Sequence, residues 1–508
     1  MSEAPNAFGI IQVFERLEVG PVKVERRRLL APYRFVRDGE EHVVDFIYRF
    51  EENVFEPGDI QSQNLACIMA AQIAINYGLF CKTIVFHGPF DEIDRRFIED
   101  MAENTAREIY VKKFLQPNPF LLGAAAHLPV VQLSHYLQAQ LLFPDLLPAG
   151  NEVLLPWSAT EPKEHAILSS GGKESLLSFG LITEVGFAAH PIFVNESGRH
   201  WFTAINSYKY FKESIPNTSR VWTNSDRVFV FALRLMPFIS QDFATKRADD
   251  YPIRLWTVAI FLFAVLPLVR KRHLGRIVIG DEFDTTRQYW HEGIPHYDGL
   301  FDQSRYFDEV LSRYYTAKRW SVCQFSIVRP LSELLILNTL YNRYPQLQQH
   351  QVSCHAAHKE GERIHPCGKC EKCRRIVNML MALGGDPTHC GYSVTQIQSC
   401  LERMTGKGSH QENADTQQLT TMLVKQGLIT LNEERQANLK ERPEIMNLRF
   451  CANRAPVDGI PLELRKPIYQ ILLAYADGAV YDNEGFWEPF DPLESPLILR
   501  PYTFENQG

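Results

Sequence analysis

The chain has 508 residues, of which 45% are hydrophobic and 22% charged, and a net charge of −7 at neutral pH. That length allows two or three domains with substantial cores, and that composition excludes a disordered or collagen-like chain. The negative balance argues against bulk electrostatic recruitment of nucleic acid, and the short basic clusters Arg26-Arg27-Arg28 and Arg270-Lys271-Arg272 read as solvated turns.

Met1 is followed by the polar segment Ser2-Glu3-Ala4-Pro5-Asn6, so no signal peptide is expected. Residues 1–155 are predicted to form a separate α+β domain. Val43 to Phe50 alternates as an edge-type strand does, and Asn64 to Tyr77 has helical periodicity. Thr83 to His87 reads as a buried strand ended by Gly88-Pro89, and Asp91 to Phe114 as a long amphipathic helix. Pro148-Ala149-Gly150-Asn151 and Pro156 mark a linker.

Residues 160–390 alternate short apolar strands with helices, which predicts an α/β domain with a parallel sheet. It opens with HAILSSGGKESL at 165–176. Ala166-Ile167-Leu168 reads as a strand, Ser169-Ser170-Gly171-Gly172 as a glycine turn, and Lys173-Glu174-Ser175 as the start of a helix. Such a turn presents backbone N–H groups and the positive end of a helix dipole to an anion. The spacing is neither the Walker A pattern nor the dinucleotide fingerprint. Further strands are predicted at Ile192 to Asn195, Val228 to Phe231 and Ile277 to Gly280. Ligands bind beyond the C-terminal ends of such strands, so Ser170, Asn195 and Asp281 are expected on one edge. The apolar run Leu255 to Val269, opened by Tyr251-Pro252-Ile253-Arg254, is too short to span a bilayer and reads as a buried helix.

Cys354, Cys367, Cys370 and Cys373 end this region in C-x2-C-x2-C spacing, with the first cysteine arriving from upstream. Four thiolates converging on one ion favour a closed, structural zinc site. His355, His358, His365 and His389 leave a mixed ligand set open, an iron–sulfur cluster is the competing reading, and Cys390 is a spare thiol. Residues 391–508 are predicted to be mainly helical, at Val394 to Met404, Thr416 to Leu428 and Ile468 to Tyr475. A polar stretch spans Gly406 to Asp415, and an extended lid or arm begins at Glu484.

The SSGGKES loop resembles the SGGxDS loop of the PP-loop (N-type) ATP pyrophosphatases, with Glu174 in place of the family Asp. With the late cysteine run it is similar to 7-cyano-7-deazaguanine synthase and its relatives. Other pieces match in order: Pro252-Ile253-Arg254, with Leu255 for the family Asn; Arg276 to Glu282; Asp302 to Phe307, which lacks the family Cys and Pro; and Arg329 to Leu334. The long N-terminal region instead resembles the layout of the ATP-dependent epimerase of UDP-N-acetylmuramoyl-L-alanyl-L-glutamate.

The resemblance implies an adenine nucleotide alpha hydrolase-like core that splits ATP to AMP and pyrophosphate and adenylates a small-molecule carboxylate. Ser170, Gly171, Gly172, Lys173, Glu174, Ser175 and Asn195 would bind ATP. Lys173 would neutralise the leaving pyrophosphate, Arg254 and Arg305 would grip the substrate carboxylate, and Asp281 or Glu174 would bind Mg2+. A tRNA-modifying enzyme and a non-catalytic nucleotide-binding scaffold are the alternatives. Ten cysteines without an export signal point to a reducing cytoplasm, with no membrane partner; a homo-oligomer is compatible with the chain.

Overall fold

The computed structural model describes residues 8–504 except 149–153, 159, 197, 199, 246–250, 355 and 408–412. The segment Met1–Asn6, residues 149–151 of the linker, His355 and the centre of the polar 406–415 stretch lie outside the described residues.

The chain folds as α/β, with 14 α-helices among the described residues around a mainly parallel central sheet. Its strands are β1 (Phe14–Val19), β2 (Lys23–Glu25), β3 (Arg28–Arg37), β4 (Glu40–Phe50), β5 (Cys81–Phe86), β6 (Gln140–Leu142), β7 (Glu161–Ser169), β8 (Ala188–Glu196), β9 (Ser219–Thr223) and β10 (Leu274–Val278). A hairpin of β11 (Gln288–His291) and β12 (Ile294–Tyr297) stands apart, and β13 (Cys323–Phe325) completes the sheet. The order is β13-β10-β7-β8-β9-β4-β3-β1-β5-β6, with β2 paired to β3. From β13 to β9 every pair is parallel; β9, β4, β3 and β1 run antiparallel in succession, and β1, β5 and β6 are parallel again.

One sheet therefore runs through both the N-terminal region and the segment that carries the glycine turn. The join is the β4–β9 ladder, Tyr48 to Phe50 against Val221 to Thr223. Asn224 splints it: its side chain accepts from the Ile47 N–H and donates to the Asp45 carbonyl, both at 2.8 Å. The N-terminal half is tied down again by the Tyr48 hydroxyl donating to the Ile260 carbonyl at 2.8 Å, and by Asn76 bonding the backbone of Leu255 and Trp256. Past the linker, Trp157 stacks on Trp320 with ring centroids 4.3 Å apart and 13° between planes.

Both faces of the parallel half are covered, as a parallel sheet requires. One face packs on the apolar helix Val258–Arg272, the buried helix expected from the sequence. The other packs on Lys173–Glu184 and Glu333–Arg343, in a core that extends into the C-terminal region.

Four expectations are corrected. β4 lies inside the sheet and is not an edge strand. Val228 to Phe231 belongs to the helix Ser225–Leu235, whose buried Val228, Phe229, Ala232 and Leu233 follow helical spacing; a four-residue apolar run carries no period of its own. The helix expected to open at Tyr251 starts at Val258. It is capped from a distance by Asp302, whose Oδ2 accepts from the N–H groups of Thr257, Val258 and Ala259 at 2.7–3.0 Å. Finally, the tail from Glu484 is not a free arm. It forms β18 (Phe486–Pro489), paired in a small sheet with β17 (Ala479–Asn483) and β16 (Leu448–Phe450), after the hairpin β14 (His358–Glu360) and β15 (Arg363–His365). The following residues are clasped by Arg465, fully buried on the helix Leu462–Leu473, which donates to the carbonyls of Asp458, Ile460, Ile498 and Arg500.

Candidate functional site

β7 ends at Ser169 and the chain turns through Ser170-Gly171-Gly172 into the helix Lys173–Glu184. The turn is tight for two reasons of packing. Gly171 has φ +76, and a Cβ there would lie 2.9 Å from the Thr203 carbonyl and Ala204 Cα. On the other side Gly280, just past β10, admits no Cβ either: it would meet Glu174 Cβ at 2.6 Å. Ser170 Oγ accepts from the Gly172 N–H at 3.2 Å, and Ser175 Oγ donates to the Gly172 carbonyl at 3.1 Å. No side chain caps the helix, so its N-terminal dipole faces the turn.

A cavity of about 620 Å³ opens here, over the C-terminal ends of β7, β8 and β10. This is the size and position of a small-molecule site in a parallel sheet. Ser170, Gly172, Lys173, Glu174, Ser175, Arg254 and Asp281 all line it. Gly171 shapes the turn from behind. Asn195 is not part of the lining, whereas its neighbours Val194 and Glu196 are, as alternation along β8 dictates. Arg305 is elsewhere: it pairs with Glu309 and donates to the carbonyls of Ala452 and Asn453 at 3.2 and 3.4 Å.

The cavity is rich in buried charge. Lys173, its side chain 5% exposed, donates to Glu333 Oε1 at 2.9 Å and pairs with Glu174. Burial alone would lower its pKa, but the carboxylates of Glu174, Glu333 and Glu282 prevail and hold it above the usual lysine value. Glu174, Glu282 and Glu333 bring carboxylate oxygens within 4.8 Å of one another, a donor set of the hard-oxygen kind that suits a divalent cation. Burial, reinforced by the other carboxylates, pushes Glu282 well above the usual glutamate range despite Lys173. Asp281 is 1% exposed and likewise raised by burial; Arg329, 3.7 Å from its Oδ2, pulls the other way. Arg254 lies over the rings of Tyr251 and Phe229, at 3.6 and 4.7 Å, with Glu196 at 3.6 Å. Its ring contacts and its ion pair fix the guanidinium at the cavity wall.

The four cysteines meet at the rim. Cys354, Cys367, Cys370 and Cys373 place their sulfurs within 4.8 Å of one another, with separations of 3.9, 3.9 and 3.5 Å for three of the pairs. A tetrahedral zinc with bonds of about 2.3 Å needs sulfurs about 3.8 Å apart, so the cluster is able to hold a metal such as zinc. Backbone N–H groups of Ala356, Cys367, Lys369 and Cys370 donate to Cys354 and Cys367 sulfurs at 3.2–3.4 Å, as thiolate ligands require. Among the described histidines none joins the set: His358 lies on β14, His365 bonds the Gly391 carbonyl and His389 sits 3.9 Å from Asp386. Cys390 is a buried thiol against Gln348, pushed up to about 12 by burial. Cys354 itself lines the cavity, and the helix Glu371–Ala382 that follows the cluster carries Lys372 and Arg375 to it.

Glu282, Glu333, Lys372 and Arg375 were not assigned from sequence. Two signals were present: the acid following Asp281, and the glutamate that opens the helix Glu333–Arg343 after the Ser332 cap. No helix among the described residues is long and apolar enough to cross a membrane. No protein-family model matches the chain, and no curated protein matches it.

Proposed function

We propose that the chain is an ATP-dependent adenylating enzyme of the PP-loop pyrophosphatase type, acting on the carboxylate of a small molecule and releasing pyrophosphate. One observation carries this reading: the Ser170–Ser175 turn delivers an uncapped helix N-terminus into a cavity over the ends of parallel strands. Backbone N–H groups of the turn and the hydroxyls of Ser170 and Ser175 hold phosphate oxygens, and Lys173 balances charge growing on the leaving pyrophosphate. Arg254, braced by Tyr251 and Phe229 at the cavity wall, orients the substrate carboxylate.

Glu174, Glu282 and Glu333 would hold Mg2+, which neutralises phosphate oxygens when bound. The cysteine cluster would hold Zn2+ as a closed, structural site that sets Lys372 and Arg375 at the rim. Product formation follows either the synthase-like course, amidation of the adenylate, or the epimerase-like one.

A nucleotide-binding scaffold is the second reading, because Glu174 and Glu333 already engage the Lys173 charge. Purified protein incubated with ATP, Mg2+ and a deproteinised small-molecule extract of its host separates the two. AMP and pyrophosphate that depend on the extract support adenylation, and Lys173→Met should then cut turnover at least a hundredfold, about 2.7 kcal/mol in the barrier. Bound ATP without AMP formation selects the scaffold.

A further inference from the structure

Glu333 stands between two cations of the large cavity. Its Oε1 accepts from Lys173 Nζ at 2.9 Å, and its Oε2 lies 3.4 Å from Arg375 Nε. One carboxylate thus serves both, one oxygen to each. All three side chains line the same cavity as Ser170, Gly172 and Ser175. They are also sheltered: Lys173, Glu333 and Arg375 have 5%, 12% and 22% of their side chains exposed, so their charges act on one another with little screening.

Each is set by a different element. Lys173 opens the helix after the glycine turn. Glu333 opens the helix Glu333–Arg343, whose Ser332 cap accepts from the Leu335 N–H at 3.0 Å and donates to the Ile445 carbonyl at 2.7 Å. Arg375 lies on the helix Glu371–Ala382, which is capped at Cys370 and carries Cys373, so the cysteine loop fixes where the guanidinium reaches the cavity. Two sheltered cations need a counter-anion, and Glu333 supplies a single negative charge to both. A pyrophosphate group brings more charge and more acceptor oxygens, and it suits the guanidinium fork.

We propose that Arg375 is a second phosphate-binding cation of the site, and that Glu333 holds Arg375 and Lys173 until a pyrophosphate group displaces its carboxylate. The assignment rests on the phosphate-binding turn proposed above and adds to it a cation brought by the helix of the cysteine loop. Glu333 then competes with the incoming anion. Removing its charge leaves both cations in place and lessens the repulsion that a phosphate group meets.

Isothermal titration of the full chain with inorganic pyrophosphate tests this, in buffer without Mg2+ so that Glu333 acts on the two cations alone. Arg375→Gln is expected to weaken binding about tenfold or more, a loss of about 1.4 kcal/mol. Glu333→Gln, which keeps the side-chain size, is expected to tighten it about threefold or more, and it remains readable if Arg375→Gln melts early. A role confined to folding would not make the two variants move affinity in opposite directions. Parent affinity in a folded Arg375→Gln protein, or weaker binding in Glu333→Gln, would overturn the proposal and leave the phosphate-binding turn standing. No pyrophosphate bound by either the parent chain or Glu333→Gln would remove the turn as a phosphate site, and this proposal with it.

Discussion

His165 on β7 is fully buried, with Nδ1 against the Lys163 carbonyl at 3.2 Å and Nε2 facing the Arg276 guanidinium at 3.4 Å. The ring fits only as the neutral form, donating from Nδ1 and accepting at Nε2. Burial first and Arg276 second push its pKa down to about 3. In the unfolded chain it takes a proton near pH 6.5, so the folded state loses stability as pH falls below that value. Between pH 7 and 5 the loss is about 2 kcal/mol. Asp302, raised to about 6, and Asp415, raised to about 8, work in the opposite sense, so the comparison must be internal. Urea unfolding at pH 7 and pH 5 should show His165→Gln losing about 2 kcal/mol less than the parent chain; equal losses would refute the assignment. Lys173 and Arg254 could be singled out from sequence because their neighbours carry a pattern. Glu333 offered only a helix-opening glutamate, and its pairing with Lys173, across 160 positions of chain, does not show in local pattern.

The four-cysteine loop was the most legible element, because two overlapping C-x2-C pairs constrain geometry whatever surrounds them. If it holds zinc, its binding energy is folding energy. Cys370→Ser should then release the metal and lower the melting temperature, and a strong chelator should do the same to the parent chain. Metal loss measured by atomic absorption with no change in melting would contradict a structural role. Elements defined by long-range contact were less legible. The helix Val258–Arg272 starts where Asp302 caps it, and that partner lies 43–45 residues away. Its buried carboxylate bonds three N–H groups, so the Asp302 to Phe307 segment has an architectural role, whatever it also does for a ligand.

At the scale of the molecule, alternation and turn residues revealed most strands, but strand partners do not show in local pattern. Residues 1–155 read as a separate unit because the linker residues are strong local signals. The sheet nevertheless passes through it into the parallel half, and the pair of charges Asp91 and Asp94 on Lys318 bridges the two again. Heating should therefore produce one cooperative transition, with the calorimetric and van't Hoff enthalpies in agreement. A separate early transition from the N-terminal half would show that the β4–β9 join is weak. The stacked indoles of Trp157 and Trp320 supply a native optical gauge of that integrity. Two parallel rings at 4.3 Å couple their electronic transitions, so the pair emits and rotates light differently from two isolated indoles. Trp157 lies just past the linker and Trp320 just before β13. The near-ultraviolet dichroism of the unmodified protein thus reads out, without any label, the moment at which the chain after the linker lifts away from the sheet.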